Sequence, residues 1–170
     1  MSLLVDPARW QPLGDGRTSS AGRSAPAGSV TDSGLASRLA AYKRNVAGTY
    51  RSVPSGDIAT SLPAGPYVVS EKIDGETWFL HCDGIATTLL SPTGRAITGV
   101  PLTDEANALL DGWTWLLAGE LYAVQSNTNE DRQPYERPRV FDLHAALGGG
   151  ADARTDRLRF AAFDILDNEG

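Results

Sequence analysis

The chain has 170 residues, of which 41% are hydrophobic and 21% charged, and this composition predicts one soluble domain with a sizeable core. No apolar run approaches the roughly 20 residues needed to span a bilayer, and no apolar N-terminal segment could act as a secretory signal, so we expect no membrane partner. The net charge of −6 disfavours nucleic-acid binding overall, but residues 1–56 carry +4 and residues 57–170 carry −10, which leaves a basic N-terminal part.

The first predicted feature is an absence of structure. Residues 14–34 are rich in Gly, Ser and Ala and contain almost nothing to bury. Such a segment cannot offset the entropy of ordering, so we expect a disordered tail or linker over residues 1–34. A helix is predicted to begin near Leu35, because apolar residues recur at helical spacing as far as Val46, and Gly48 would end it.

The basic residues of this part are concentrated in residues 37–51. They are Arg38, Lys43, Arg44 and Arg51. Two interpretations stay open for them: a patch that faces nucleic-acid phosphates, or the solvated face of a helix.

From Pro66 the pattern changes to strands. The segments "YVVSEKI" at 67–73 and "TWFLHC" at 77–82 are rich in β-formers and are separated by "DGE", as in two strands joined by a turn. The turns "CDG" and "SPTG" flank a further strand, "IATTLL", at 85–90.

The remaining segments alternate helix and strand. "LTDEANALL" at 102–110 predicts a short helix with Thr103 as its N-cap and two acids in its first turn. "WTWLLAGELYAV" at 113–124 predicts a buried strand, "RVFDLHAAL" at 139–147 a short helix, and "LRFAAFDIL" at 158–166 a mainly apolar strand. Short strands joined by turns, with helices inserted between them, predict an α+β domain built on an antiparallel sheet.

Lys72 is the residue of most chemical interest, because it is one of only two lysines and precedes Asp74 and Gly75 in "EKIDGE". A neutral lysine amine is a nucleophile. The simpler interpretation is a surface lysine in a turn between strands, with Asp74 and Gly75 present for turn geometry.

Four segments together resemble the ATP-dependent polynucleotide ligases and their relatives the mRNA-capping enzymes, in the order of that family's motifs. They are "EKIDGE" at 71–76, "SPTGRAIT" at 91–98, "LAGELYA" at 117–123 and "FAAFDILD" at 160–167. "RPRVFDLHAAL", which precedes the last of these, is similar to a helix common there in DNA ligases. The resemblance covers residues 66–168 and implies an antiparallel-sheet nucleotidyltransferase fold, with a partial adenylation domain over residues 35–170. Because the chain ends before the family's Lys-x-Lys motif and OB-type domain, we expect it to be inactive alone in strand sealing.

The resemblance also implies the chemistry of the motif residues. Lys72 would attack the α-phosphate of ATP and hold AMP as a phosphoramidate. Asp74 would orient Lys72 near the ribose, and Gly75 would let the backbone approach the nucleotide. Glu120 would bind the ribose or a water on Mg²⁺. Phe163 would stack on adenine, although it could also be a core residue.

Other positions fit the family's pattern less closely. Asp164 interrupts an apolar strand, which favours a site role over the capping of a turn. Pro92 stands where these ligases usually carry an arginine, and Arg95 is the residue that could replace it. Glu71 immediately precedes Lys72, as in some RNA ligases, whereas many DNA ligases place an adenine-contacting glutamate one residue earlier.

The leading hypothesis is therefore an ATP-dependent DNA ligase adenylation domain, which acts on nicked DNA in repair, replication and recombination. RNA ligase is the nearest alternative, and a non-catalytic remnant that binds nucleotide or a protein is the alternative from another class. Cys82 has no partner for a disulfide, which fits a cytoplasmic location, and we interpret it as a buried thiol. His81 and His144 match no metal or triad pattern and are interpreted as structural. The sequence does not determine the oligomeric state.

Overall fold

The computed structural model describes residues 4–13, 22–67, 69, 72–110, 112–124, 140–148 and 154–169. The α-helices in this part of the chain are α1 (Ser33–Asn45), α2 (Ile58–Ser61), α3 (Pro101–Leu109) and α4 (Val140–Leu147). The strands are β1 (Gln11–Pro12), β2 (Arg23–Ala25), β3 (Glu76–Asp83), β4 (Thr87–Leu90), β5 (Ala96–Thr98), β6 (Thr114–Ala123) and β7 (Leu158–Glu169).

The seven strands form one open sheet in the order β1-β2-β5-β4-β3-β6-β7. All neighbouring pairs are antiparallel, so the predicted α+β class with an antiparallel sheet is confirmed. The predicted strands at 113–124 and 158–166 and the helix at 139–147 correspond to β6, β7 and α4. β3 and β6 pair over eight residue positions at the centre of the sheet.

Apolar clusters cover both faces of this sheet. Successive side chains of a strand point to opposite faces, and β3 has three consecutive buried apolar residues, Trp78, Phe79 and Leu80, so it contributes to both clusters. Trp78 and Leu80 pack with Leu143 of α4 on what we call the α3/α4 face. Phe79 packs with residues of α1, including Tyr42, on what we call the α1 face.

Helix α1 begins two residues before the predicted start. The side chain of Asp32 accepts hydrogen bonds from the backbone N–H groups of Gly34 and Leu35, at 2.7 and 3.1 Å, which satisfies donors at the helix end. The helix ends at Asn45, ahead of Gly48.

The predicted disordered tail differs from the structure wherever residues 1–34 are described. β2 pairs with β5, Val5 bridges Val30, and the side chains of Val5, Leu13 and Ala25 are buried. A few apolar residues in a polar segment are enough for this, because they pack with residues of the sheet in the two core clusters. Residues 14–21 lie outside the described part of the chain.

Two further local predictions are wrong. The predicted strand at 67–73 contains no strand residue in the part that the structure describes. Val69 is 90% exposed, and β-forming residues gain little from forming a strand when no face of it is buried. Thr103 is not the N-cap of α3, because the helix starts at Pro101 after Val100. Instead the Thr103 hydroxyl accepts a hydrogen bond from the N–H of Val100, at 3.0 Å.

None of the helices in the described part of the chain is both long enough and apolar enough to cross a membrane.

Candidate functional site

The segment from Lys72 to Gly75 lies immediately before β3, and one hydrogen bond ties it to β6. The backbone N–H of Gly75 donates to Oε1 of Glu120 at 3.1 Å. Glu120 stands opposite Thr77 in the β3–β6 ladder, so the carboxylate reaches back over the start of β3. The structure therefore brings together two of the motifs that the sequence analysis singled out, across 45 positions of the chain.

Gly75 is needed at this contact because no side chain fits there. A Cβ atom on Gly75 would lie 2.3 Å from the carbonyl oxygen of Leu121 and 3.0 Å from Cγ of Glu120. The first of these neighbours is backbone of the central sheet, which cannot move aside cheaply. The close approach of the Lys72 segment to β6 thus depends on glycine.

The environment of Glu120 is electrostatically mixed. Partial burial raises the pKa of its carboxyl group above the usual value, while the hydrogen bond from Gly75 and the charge of Lys72 lower it. The charge of Asp74 raises that pKa again, and the charge of Lys43 lowers it. Lys72 and Asp74 are both exposed. The charge of Lys72 is thus close enough to act on the half-buried carboxylate of Glu120, which brings the lysine and the glutamate of the two motifs into one site.

Phe163 and Asp164 lie on β7, where the β6–β7 ladder is irregular. Gly119 pairs with Ala162 and Ala118 pairs with Asp164, so Phe163 is the extra residue of a β-bulge. Bulges re-aim side chains and are frequent near active sites. Asp164 accepts a hydrogen bond from the hydroxyl of Tyr42 at 2.9 Å.

Phe163 is half exposed and lines an open groove of about 680 Å³ at the β7 edge. The groove's apolar wall includes Trp115 and Leu117, which pack on the α3/α4 face. Successive side chains of β6 point to opposite faces of the sheet. Glu120, two residues from Ala118, therefore lies with Ala118 on the α1 face. The structure therefore does not place the Phe163 groove and Glu120 on one face of the sheet.

Arg95 lies in the turn between β4 and β5. Its backbone N–H donates to Oγ of Ser91 at 3.0 Å, and its carbonyl accepts from the N–H of Ser91 at 2.9 Å. Leu90 pairs with Phe79, so this turn lies beside the start of β3, at the same end of the sheet as Gly75. Glu71 lies outside the described residues.

His144 is a neighbour of the site that sequence reasoning missed. Its Nε2 lies 3.1 Å from Oε1 of Glu76, the residue that follows Gly75. The other carboxylate oxygen of Glu76 accepts a hydrogen bond from Nε1 of Trp78 at 3.2 Å. No sequence pattern in either segment indicates that α4 lies near the start of β3. Only information about which positions are in contact could have identified this pair.

The basic segment at 37–51 is divided by the fold. The guanidinium of Arg38 donates to the carbonyl of Leu166 at 3.0 Å and to Asp167 at 3.3 Å, so Arg38 fastens α1 to β7. Lys43, Arg44 and Arg51 are exposed.

The predicted Mg²⁺ ligand, Glu120, has no cluster of partners around it. Among the described residues, no group of three or more His, Cys, Asp or Glu side chains could hold a metal ion. Magnesium is commonly bound by one or two carboxylates together with substrate phosphates. Glu120 fits that lesser role, as a single oxygen donor, but not a metal site built by the protein alone.

Cys82 and His81 lie in the sheet away from Glu120. Cys82 is a buried free thiol, and burial raises its pKa, which makes it unreactive. Burial lowers the pKa of His81, and its Nδ1 has no hydrogen-bond partner within the described structure.

The chain matches no protein-family model, no curated protein and no solved structure. The candidate site therefore rests on its own residues and their geometry.

Proposed function

We propose that this chain is an adenylation domain of the ATP-dependent polynucleotide ligase type, in which Lys72 becomes covalently linked to AMP. The observation that carries the proposal is the hydrogen bond from the Gly75 N–H to Glu120. It joins the Lys-x-Asp-Gly segment to the glutamate-bearing strand, the two elements to which the resemblance assigns nucleotide chemistry.

The proposed reaction splits a difficult condensation into two easier steps. The Nζ atom of Lys72 forms a bond to the α-phosphorus of ATP, and the bond from that phosphorus to the bridging oxygen breaks. Pyrophosphate leaves with the electron pair, and the proton of the amine passes to water or to a nearby carboxylate. In a complete ligase of this type the AMP group is then transferred to the 5′-phosphate of a nicked strand, and attack by the 3′-hydroxyl seals the nick and releases AMP; we expect this chain alone not to complete the sealing.

Each residue of the site has a role in this scheme. Asp74, next to Lys72 in the segment, would orient the amine. Gly75 would keep the backbone close enough for the nucleotide to be held against β6. Glu120 would accept a hydrogen bond from the ribose or supply one oxygen to Mg²⁺, which enters with the phosphates of ATP and neutralises their charge.

A non-catalytic binding module is the second candidate. Two observations favour it: the Phe163 groove and Glu120 lie on different faces of the sheet, and Pro92 stands where an arginine is expected. In that case the Lys72 segment would bind nucleotide without forming a bond to it.

The first prediction separates these candidates. The chain is incubated with Mg²⁺ and ATP radiolabelled on the α-phosphate, and we expect an acid-labile, alkali-resistant adduct, because phosphoramidates behave in this way. Peptide mapping is expected to place the label on Lys72 and not on Lys43, the second lysine of the same molecule. Lys72→Arg, which keeps the positive charge and removes the nucleophile, is expected to abolish labelling.

The contrary outcomes are distinct. Label on Lys43, or label that persists in Lys72→Arg, would reject Lys72 as the nucleophile. ATP binding without any adduct would favour the binding module. Discharge of the label by nicked RNA in preference to nicked DNA would select the RNA-ligase alternative.

A further inference from the structure

We propose that His144 of α4 is a positioning residue for Lys72: through Glu76 it holds the exit of the Lys72 segment on the α3/α4 face, while Glu120 holds it from the α1 face. We call these two contacts, Gly75–Glu120 and Glu76–His144, the exit clamp. The inference rests on the proposed function, because it concerns how the nucleophilic amine is presented.

The exit clamp acts at the point where β3 begins. Glu76 is the first residue of β3 and pairs with Leu121, whereas Lys72 and Asp74 precede the ladder and are exposed. The direction in which the Lys72 segment leaves the sheet is therefore set at Gly75 and Glu76. These are the two residues that the clamp contacts.

The two contacts of the clamp approach the segment from opposite faces of the sheet. Glu120 lies on the α1 face with Ala118. Glu76 pairs with Leu121 of the α3/α4 cluster, and its partner His144 belongs to a helix of that face. A junction that is held from both faces cannot tilt toward either of them. A single hydrogen bond would allow such a tilt.

Helix α4, which carries His144, is packed firmly against the core. Leu143, Ala146 and Leu147 are all buried in the core, and the carbonyl of Ala146 accepts a hydrogen bond from the N–H of Arg154 at 3.2 Å. The His144 side chain itself is 66% exposed. Its carrier helix is thus fixed while the imidazole remains at the surface.

The side chain of Glu76 is held in one orientation by two partners. Trp78 is almost fully buried, and its indole N–H donates to Oε2 of Glu76. This leaves Oε1 for His144 at 3.1 Å. Both oxygens are therefore used, one toward the core and one toward α4.

The test measures the clamp without relying on catalysis. Amide hydrogen exchange is followed for residues 74–77 in His144→Ala, in Glu76→Gln and in the wild type. We expect exchange of these amides to rise about threefold in both variants, the scale of a single exposed side-chain contact. Arg154→Ala breaks a comparably exposed ion pair with Asp156 without touching Glu76, and it is expected to leave these amides unchanged.

A kinetic readout then tests positioning. The rate of lysyl-AMP formation is expected to fall about threefold in His144→Ala while the KM for ATP stays unchanged, because orientation and not affinity is lost. His144→Gln, which keeps a side-chain N–H donor for Glu76, is expected to restore most of the rate. A thermal melt of each variant shows whether folding is intact.

Failure of the inference and failure of the proposed function look different. Exchange at 74–77 no greater than in Arg154→Ala would overturn the clamp, as would looser amides with an unchanged adduct rate. If the wild type forms no adduct at all, the proposed function fails, and a positioning role for His144 fails with it, even if exchange shows that the contact exists.

Discussion

At the scale of single residues, the closest backbone approach of the site depends on Gly75. Its N–H reaches Glu120, and the space where a Cβ atom would stand is occupied by the carbonyl of Leu121, at 2.3 Å. A substitution here must shift either the start of β3 or the Glu120 strand. Both elements belong to the central β3–β6 pair, so the change is expected to affect stability as well as the site.

We therefore predict that Gly75→Ala lowers the free energy of unfolding by about 1–3 kcal/mol, because overpacking against backbone forces a rearrangement. Gly65→Ala is the matched control, since a Cβ atom there would meet nothing within 4 Å, and it is expected to be neutral or slightly stabilising. Urea unfolding of both variants measures the difference. A Gly75→Ala variant as stable as Gly65→Ala would show that the contact with Leu121 is not tight.

At the scale of elements, helix α1 is joined to the edge strand β7 by two polar contacts. Arg38 bonds the end of the strand, and Tyr42 donates to Asp164 next to the bulge. The Tyr42 ring also packs edge-on against Phe79, with centroids 5.3 Å apart and an interplanar angle of 87°. These contacts hold the bulged segment of β7, which carries Phe163, against the rest of the fold.

Tyr42→Phe is predicted to lower stability at pH 7 by about 1–2 kcal/mol, because one hydrogen bond to a carboxylate is lost while the ring packing remains. Burial, followed by the hydrogen bond to Asp164, raises the pKa of Tyr42 above its usual range. Since the folded-state pKa lies above the unfolded-state pKa of about 10, this contribution is fully present below about pH 10 and is lost as the pH rises further.

Unfolding free energies measured between pH 7 and 11 check both parts of this prediction. The gap between the wild type and Tyr42→Phe is expected to shrink above about pH 10. Tyr67→Phe, at a half-exposed tyrosine, is expected to show no gap at any pH. A gap that is constant across this range would mean that the Tyr42 hydroxyl ionises equally in both states.

At the scale of the whole molecule, charge is unevenly distributed along the chain. The excess of positive charge lies in residues 1–56, although the protein as a whole is acidic. Arg38 is bonded to β7, and the other basic residues of the segment at 37–51, which are Lys43, Arg44 and Arg51, are exposed. Lys43 and Arg44 also lie in the last turn of α1, where positive charge is favourable to the helix dipole.

If these three residues contact a nucleic acid, their replacement by alanine is expected to weaken binding to a nicked duplex. The slope of log affinity against log salt is predicted to become shallower by about 2–3. For each phosphate contact that is lost, about 0.9 fewer counterions are released on binding. Fluorescence anisotropy over a series of salt concentrations measures this. Arg154→Ala is the control for loss of a basic side chain elsewhere, and an unchanged slope in the triple variant would leave these residues with a role in α1 alone.

The sequence by itself determined the features that depend on local pattern. The segment around Phe79 predicted a strand because residue types that favour strands follow one another there, and its central position came only from the structure. The helix containing His144 and the strand containing Glu120 were predicted in the same way. The motif of Lys72, Asp74 and Gly75 could also be recognised in the sequence, because it consists of residue types at neighbouring positions.

Only the tertiary structure decided which of these elements meet. The order of strands places Glu120 beside Gly75 and Glu76 within reach of His144, and no periodicity in the chain encodes either contact. The same limit explains the error at residues 1–34, where Val5 and Ala25 become buried because a distant part of the sheet provides their partners. Local sequence fixes the face that a residue presents, whereas the free energy gained by burying that face depends on residues far away in the chain.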